Sequence, residues 1–300
     1  MALPEDFIKR RRLAAHREYW LDEREGELIF RPRLPDARKL YIEPTTRCNL
    51  HCRTCIRNVW SDPEAEMSME TFRCLVEGLE VLPNLTRVDF TGLGEPLSHP
   101  NIMEMIEAMR RRGLAVSVGS NGLLLNQEKA RELVRLGVDR LIVSVDGVRP
   151  ETYAGIRGAL LFDVIGNIRG LNEVKRELGS LFPALGIEFV VLKSNAAELS
   201  EFTGLAARLN AASVLVSNVL AYTEEMREEI LYGYDPRSPF RAGGWPVKGD
   251  NWVMLGALGL PRMHWGAERR CRFVADNALV VGWDGGVAPC YALTTIAILP

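Results

Sequence analysis

The 300-residue sequence contains no long hydrophobic run. No segment reaches the ~18 consecutive apolar residues that a membrane-spanning helix needs. The first twenty residues, "MALPEDFIKRRRLAAHREYW", have no uninterrupted apolar core of signal-peptide length. We therefore expect a cytoplasmic protein without a membrane partner.

A strong net charge, an internal repeat of short period and low-complexity tracts are also absent from the sequence. The 37 Lys and Arg residues nearly balance the 39 Asp and Glu residues, for a formal net charge of −2. Since a basic field recruits nucleic acid, we expect no nucleic-acid partner. Hydrophobic residues make up 47% and charged residues 25% of the chain, which is typical of a globular protein with a sizeable core.

Cysteine is scarce, yet three of the six cysteines lie within eight residues, in "TTRCNLHCRTC". Cys48, Cys52 and Cys55 have the spacing C-x3-C-x2-C, and in a reducing cytosol such a cluster indicates metal binding or catalysis rather than disulfides. Three thiolates can hold a [4Fe–4S] cluster and leave one iron open, which is typical of a reactive metal site. Structural zinc is the alternative, but His51 adjoins Cys52, and adjacent residues rarely complete one tetrahedron.

Strand-like and helix-like segments alternate between Lys39 and Asn218. The apolar strand candidates are 39–44, 86–92, 114–120, 140–147, 185–192 and 212–218. Helix candidates with apolar spacing of three and four lie at 69–82, 101–113, 126–137, 163–178 and 195–210, and Gly113 and Gly137 occupy C-cap positions. Six such units predict an α/β fold with a parallel sheet buried on both faces, either a partial barrel or an open doubly wound sheet. In both folds the site lies at the carboxyl ends of the strands.

The segments that flank this region lack the alternation. We predict an N-terminal helical extension over 1–38, with one amphipathic helix from Pro4 to Glu25, and a connector or lid over 219–270 that contains three tryptophans. The tail, 271–300, contains a predicted β-hairpin with "WDGG" as its turn. The barrel region itself is predicted to span 39–218.

The cysteine spacing after the first of six strand–helix units resembles the radical S-adenosylmethionine (SAM) superfamily, and the resemblance continues in order through 39–218. It implies a partial (βα)6 TIM-like barrel and a [4Fe–4S] cluster on Cys48, Cys52 and Cys55. In that superfamily SAM binds the open iron and is cleaved reductively to a 5′-deoxyadenosyl radical, which removes a hydrogen atom from the substrate. Reduced ferredoxin or flavodoxin is the implied electron donor.

The resemblance also implies SAM contacts at the ends of the next strands. In "TGLGEP", Gly94 and Glu95 match the family's Gly-Gly-Glu segment, which contacts the SAM amino group, although Leu93 interrupts it. Taken alone, this segment is better interpreted as a strand-to-helix turn. The other implied contacts are Ser120 and Asn121 in "SNG", Ser144 and Asp146 in "SVDG", and, near the adenine position, Asn195 in "VVLKSN". An Asp-Gly turn is the alternative for Asp146.

Charged residues around the cysteines have open interpretations. Arg47, Arg53 and Arg57 could offset the charge of a cluster or be solvated loop residues. Glu43, at the end of the first strand, could face the substrate cavity, although we expect a salt bridge.

Cys271 and Cys290 form a second pair, with Gly285 between them in the pattern C-x13-G-x4-C. This pattern resembles the opening of the SPASM extension, a tail found on radical SAM maturases, in which further cysteines build auxiliary [4Fe–4S] clusters. Two thiolates are too few for such a cluster, and no cysteine follows Cys290. We expect a truncated SPASM-like (twitch-like) segment; ligands supplied by a partner, a vestigial pair and two buried hairpin thiols are the alternatives.

Residues 40–60, 90–102 and 271–293 together resemble the maturases linked to tungsten-containing aldehyde ferredoxin oxidoreductases. The implied function is maturation of a tungstopterin or molybdopterin enzyme, its cofactor or a peptide, with that oxidoreductase as a potential partner. One alternative is a radical SAM oxidoreductase that acts on a small molecule, as in the cyclase step of molybdopterin synthesis. Another is a non-catalytic iron–sulfur or zinc scaffold.

Overall fold

In a computed structural model of the protein, the described residues are 19–24, 27–32, 37–59, 64–219, 223–229, 273 and 276–289. For residues 19–32 the backbone alone is described. Cys271, Cys290 and the three tryptophans of the predicted connector lie outside the described residues, so the predictions made for them stay predictions.

An eight-stranded sheet forms the centre of the molecule, in the order β10-β9-β3-β4-β5-β6-β7-β8. Its strands are β3 Lys39–Ile42, β4 Arg87–Phe90, β5 Ala115–Ser120, β6 Arg140–Ser144, β7 Ala184–Val191, β8 Ser213–Asn218, β9 Ala278–Val281 and β10 Val287–Ala288. Strands β3 to β8 are parallel neighbours in chain order, as in a partial barrel, and not in the reversing order of a doubly wound sheet. All six predicted strands are confirmed.

The helices follow the strands as the apolar spacing predicts. They are α1 Met69–Gly78, α2 Ile102–Arg111, α3 Gln127–Arg135, α4 Pro150–Arg157, α5 Leu161–Glu177, α6 Leu199–Arg208 and the short α7 Glu224–Glu228. Ser68 and Asn126 cap the N-termini of α1 and α3, and Gly113 and Gly137 have the left-handed φ values of +75° and +66° that were expected of C-caps. Helix α4 was not predicted. Among the described helices, none has both the length and the apolar composition required to cross a bilayer.

The two faces of the sheet differ, so the prediction of a sheet buried on both faces is wrong. Apolar side chains such as Leu40, Val88 and Val116 are buried in the core with the helices. Alternate residues, such as Asp89 and Ser117, line a cavity instead. Right-handed crossovers between consecutive strands all lie on one side of a sheet, so the opposite face of this sheet is left concave and partly polar.

Both ends of the chain depart in part from expectation. The prediction of one helix from Pro4 to Glu25 is wrong at its end, because β1 Tyr19–Arg24 pairs antiparallel with β2 Glu27–Pro32; residues 4–18 lie outside the described residues. The alternating and aromatic sequence of β1 and β2 suits a hairpin better than a helix. The C-terminal hairpin of β9 and β10 is confirmed, with Gly285 in its turn at a φ of +86°. Its parallel pairing with β3 was not predicted.

Candidate active site at the cysteine loop

The loop that follows β3 carries Cys48, Cys52 and Cys55, all as free thiols. The three side chains line one cavity of about 900 Å³ on the concave face of the sheet. Burial raises the pKa of each thiol, and the three are close enough that neighbouring thiolates raise it further. These shifts favour the neutral thiols, so the thiolate forms would be stabilised by a bound metal.

This donor set fits an iron–sulfur cluster. In the part of the chain that the structure describes, no three His, Cys, Asp or Glu side chains converge on a single metal ion. In a cubane cluster each cysteine binds a different iron, so the three thiols do not have to converge on a single ion. His51, the zinc alternative, is exposed while Cys52 beside it is buried, so the two adjacent side chains have different surroundings.

Each of the three sulfur atoms accepts a hydrogen bond from nitrogen. Nδ2 of Asn121 lies 3.7 Å from Sγ of Cys48, a guanidinium nitrogen of Arg157 lies 3.7 Å from Sγ of Cys52, and the backbone N of Arg57 lies 3.4 Å from Sγ of Cys55. Such donors stabilise thiolate character and influence the reduction potential of a cluster.

Gly94 packs directly against the backbone of the cysteine loop. A Cβ atom at this position would lie 2.2 Å from the carbonyl oxygen of Thr45 and 2.5 Å from that of Arg47. The next residue, Glu95, donates its backbone N–H to the Arg47 carbonyl at 2.8 Å. Only glycine fits this contact, so the interrupted "TGLGEP" segment retains the close backbone approach that the resemblance requires.

The buried Glu95 carboxylate joins the turns after β4 and β5. Oε1 accepts hydrogen bonds from Ser120 Oγ at 2.8 Å and from Leu97 N at 3.0 Å, and Oε2 accepts one from Asn121 N at 2.6 Å. Burial raises the pKa of Glu95, and these three donors oppose the increase. Asn121 in turn donates from Nδ2 to Asn49 Oδ1 at 2.8 Å, which links the network to the cysteine loop.

The structure brings five of the seven predicted SAM-contact residues to the cavity that the cysteines line: Gly94, Glu95, Ser120, Asn121 and Ser144. That these residues contact SAM stays a prediction. Since they follow three different strands, their convergence agrees with the expected location of the site at the carboxyl edge of the sheet.

Asp146 is fully buried and is not among the cavity-lining residues. Its Oδ1 accepts a hydrogen bond from Val190 N at 2.8 Å, and its Oδ2 lies 2.6 Å from Nε of Arg157. Asn195, also fully buried, donates from Nδ2 to the Asp146 carbonyl at 2.9 Å. As placed, Asp146 reaches the cavity only through Arg157, and Asn195 braces that arrangement.

Glu43 and Arg53 also differ in part from expectation. Glu43 is buried outside the cavity lining, and its Oε1 accepts a hydrogen bond from Leu93 N at 2.6 Å; the described residues give it no salt bridge. Arg53 forms ion pairs with Glu225 and Glu229, and Arg57 pairs with Glu64. The two arginines are therefore tied to acidic partners rather than simply solvated.

Comparison with known proteins identifies the architecture. A family model described as the Radical SAM superfamily matches residues 42–188, which include all three loop cysteines. The tungsten-containing aldehyde ferredoxin oxidoreductase cofactor-modifying protein of Pyrococcus furiosus is 34% identical over 254 residues, which are 84% of this chain and 70% of that protein. The chain belongs to the radical SAM superfamily. It is accordingly an enzyme of the radical SAM type.

Other proteins are similar to this chain over about half to three fifths of their own length. The PqqA peptide cyclase of Gluconobacter oxydans is 30% identical over 188 residues, and the chain spans only 49% of it. Among solved structures, Streptococcus suis SuiB bound to S-adenosylmethionine superposes with a TM-score of 0.62 at 16% identity, over 88% of this chain and 62% of SuiB. SuiB bound to its precursor peptide SuiA gives a TM-score of 0.59 at 15% identity, over 88% of this chain and 61% of SuiB. These likenesses show the radical SAM fold.

Arg157 is the site residue of this radical SAM enzyme that sequence reasoning missed. It lies at the end of α4, the unpredicted helix, whose start and stop signals are nevertheless present: Pro150 in its first turn and Gly158 after its last, at a φ of +70°. Burial opposes the charge of Arg157, but Asp146 and Cys52 outweigh that effect and hold its pKa above the usual range. The guanidinium therefore places a permanent positive charge beside Cys52.

Proposed function

We propose that the protein is a radical SAM maturase that holds a [4Fe–4S] cluster on Cys48, Cys52 and Cys55 and cleaves SAM reductively. The observation that carries this proposal is the shared cavity: three thiols, each with a nitrogen donor at its sulfur, line the same wall as Gly94, Glu95 and Asn121. When bound, the cluster and SAM would supply an electron to the sulfonium and a 5′-deoxyadenosyl radical that removes a hydrogen atom from the substrate.

The protein's own groups would bind and orient these partners. The three thiolates would ligate iron, and Arg157 and Asn121 would hold two of the sulfurs by N–H donation. The backbone at Gly94 and the carboxylate of Glu95 would contact the SAM amino group. Three hydrogen-bond donors fix the orientation of this buried carboxylate. Ser144 would reach the SAM ribose or carboxylate from β6.

The proposed substrate is a tungstopterin or molybdopterin enzyme, its cofactor or a peptide. Support comes from the Pyrococcus furiosus relative, whose name states cofactor modification, and from the peptide cyclase relative and the SuiB fold neighbour. We infer reduced ferredoxin or flavodoxin as electron donor and a cytoplasmic location. An auxiliary [4Fe–4S] cluster on Cys271 and Cys290 would require ligands from elsewhere.

Cleavage of SAM can be tested with a matched pair of cysteine variants. Anaerobically reconstituted wild-type protein with dithionite and SAM should release 5′-deoxyadenosine, measured by chromatography. Cys52→Ala should abolish this release and lower the iron content, because one ligand of the cluster is lost. Cys74→Ala removes an exposed thiol on α1 and should leave both unchanged.

The scaffold alternative predicts the opposite result for the wild type. A protein that binds the cluster but never forms 5′-deoxyadenosine would contradict the enzymatic proposal. Equal activity of Cys52→Ala and wild type would contradict the assignment of the three cysteine ligands.

A further inference from the structure

The floor of the cavity carries a charged pair that the proposed chemistry does not use. Nζ of Lys39, on β3, lies 2.5 Å from Oδ2 of Asp89, on β4, and also donates to the hydroxyl of Tyr41 at 2.8 Å. Both charged side chains are only 12% exposed, and both line the cavity. An ammonium group has three N–H donors, so Lys39 keeps one beyond these two bonds.

The second carboxylate oxygen of Asp89 has no donor. Oδ1 is buried, and no hydrogen-bond partner for it exists among the described residues. A buried carboxylate oxygen without a donor costs more free energy than an ordinary lost hydrogen bond, so this oxygen would gain from a donor on a ligand. The terminal torsion of an aspartate is broad, so a partial rotation would turn this oxygen toward the cavity that Asp89 lines.

The pair lies on the same sheet face as the predicted SAM contacts but closer to the amino ends of the strands. Asp89 is opposite Tyr41 and Ser117 in the parallel register, which places the three residues in one row. Two residues further along the same strands, a step of about 6.6 Å, are Thr91 and Gly119. The turns that carry Glu95 and Asn121 come next.

The same cavity extends from this pair to the predicted SAM contacts. It has a volume of about 900 Å³, and Thr91 and Gly119 of the intermediate row line it between Asp89 and Glu95. A flat group of one or two rings can therefore lie between the Lys39–Asp89 pair and the predicted SAM contacts.

We propose that the Lys39–Asp89 pair anchors the substrate by an amide-type edge, in which an N–H donates to Asp89 and the adjacent C=O accepts from Lys39. This inference rests on the proposed function and names the chemistry that the substrate presents. The lactam edge of a pterin ring has this donor–acceptor order, and so does a primary amide of a peptide. A neighbouring donor and acceptor on the protein match that order with no unpaired group.

Binding of a free pterin tests the anchor. The probe is 6-hydroxymethylpterin, whose fluorescence reports binding to the reconstituted protein without reductant. In Asp89→Asn, the amide oxygen must face Lys39, which only donates, so an NH2 group takes the place of the free acceptor. Binding should weaken about 10- to 100-fold, the range for loss of a hydrogen bond to a charged group. Asp276→Asn removes another carboxylate from the cavity wall and should bind like the wild type.

A modified ligand tests the same hydrogen bond on wild-type protein, so the result does not depend on whether a variant folds. The 3-methyl derivative of the same pterin lacks the N–H and should bind wild-type protein at least tenfold more weakly. Acetyl-asparagine amide tests the peptide source: binding of this probe alone, with the same dependence on Asp89, supports the anchor and assigns a peptide substrate. Equal pterin affinity of wild type and Asp89→Asn, or no binding of either probe to wild type, overturns the proposal.

The 5′-deoxyadenosine assay separates this inference from the proposed function. Asp89→Asn should still cleave SAM in the absence of substrate, because Asp89 lies outside the predicted SAM contacts. If wild-type protein binds pterin through Asp89 yet never cleaves SAM, the anchor stands and the proposed function fails. If the wild-type protein cleaves SAM but binds neither probe, the proposed function stands and the anchor fails.

Discussion

Glu43 combines deep burial with a position five residues before the first cysteine ligand. Burial, with Asp284 as a smaller contribution, raises its pKa from 4.5 to about 7, although the hydrogen bond from Leu93 N opposes the shift. A carboxyl whose pKa is raised by folding binds more protons in the folded than in the unfolded state between about pH 4.5 and 7. The free energy of unfolding therefore falls as pH rises through this window.

Glu43→Gln should remove this part of the pH dependence. Glutamine keeps an acceptor for Leu93 N but does not ionise, so the variant should be more stable than wild type at pH 8 and similar to it near pH 4.5. The raised pKa corresponds to at most about 3 kcal/mol. Urea unfolding at both pH values, at matched iron content, measures the difference.

Glu107→Gln is the control for this experiment, because Glu107 lies on the exposed side of α2 in an ion pair with Arg111. Its pH dependence should match that of wild type. A Glu43→Gln variant that loses stability between pH 5 and 8 as steeply as wild type would show that Glu43 is ionised in the folded protein.

At the scale of elements, the turn after β4 and the cysteine loop act as one unit because Gly94 leaves no gap between them. Gly94→Ala places a methyl group against two carbonyl oxygens, and backbone cannot move aside as a flexible side chain would. We expect a loss of about 1–3 kcal/mol in the free energy of unfolding, and less iron bound per chain after reconstitution.

Gly155→Ala is the matched control for Gly94→Ala. Gly155 lies within α4, and a Cβ atom there would meet nothing within 4 Å. Because alanine favours helix over glycine, this variant should be more stable by about 0.5–1 kcal/mol and bind the normal amount of iron. Thermal unfolding with iron analysis compares the two, and normal iron binding by Gly94→Ala would contradict the packing argument.

The sequence predicts elements well where one local pattern determines them. The β-branched runs from Lys39 to Asn218 predict the strands, and the cysteine spacing predicts the loop that carries the proposed metal ligands. Helix α4 was missed because it is short and only Tyr153 and Ile156 of it are buried, which leaves little apolar periodicity. Arg157 was missed with it. The burial of Asp146 could not be predicted, since it depends on that arginine, eleven residues away.

At the scale of the whole molecule, residues distant in sequence secure the cysteine loop. Nε of Arg53 lies 2.6 Å from Oε1 of Glu225, and Arg53 also pairs with Glu229, which accepts a hydrogen bond from Ser194 N at 3.0 Å. Helix α7 thereby connects the cysteine loop to the turn after β7. This tie restrains the loop at Arg53, whereas Gly94 packs against the loop at Thr45 and Arg47.

Loss of this tie should loosen the bound iron. In Arg53→Ala we expect iron to pass to a chelator roughly two- to fivefold faster than in wild type, because the variant loses its ion pairs with Glu225 and Glu229. Arg111→Ala removes a comparable surface pair on α2 and serves as the control. Identical release rates for the two variants would show that α7 does not restrain the loop.

The pairing of β9 with β3 has a consequence for synthesis. Strand β3, which leads into the cysteine loop, comes early in the chain, whereas its outer neighbour, Ala278–Val281, comes near the end. While the ribosome is still making the intervening residues, β3 is a sheet edge with one row of unpaired backbone groups. Strand β3 therefore gains its second neighbour only after residues 43–277 have been translated, so the strand that leads into the cysteine loop is among the last in the sheet to be paired on both sides.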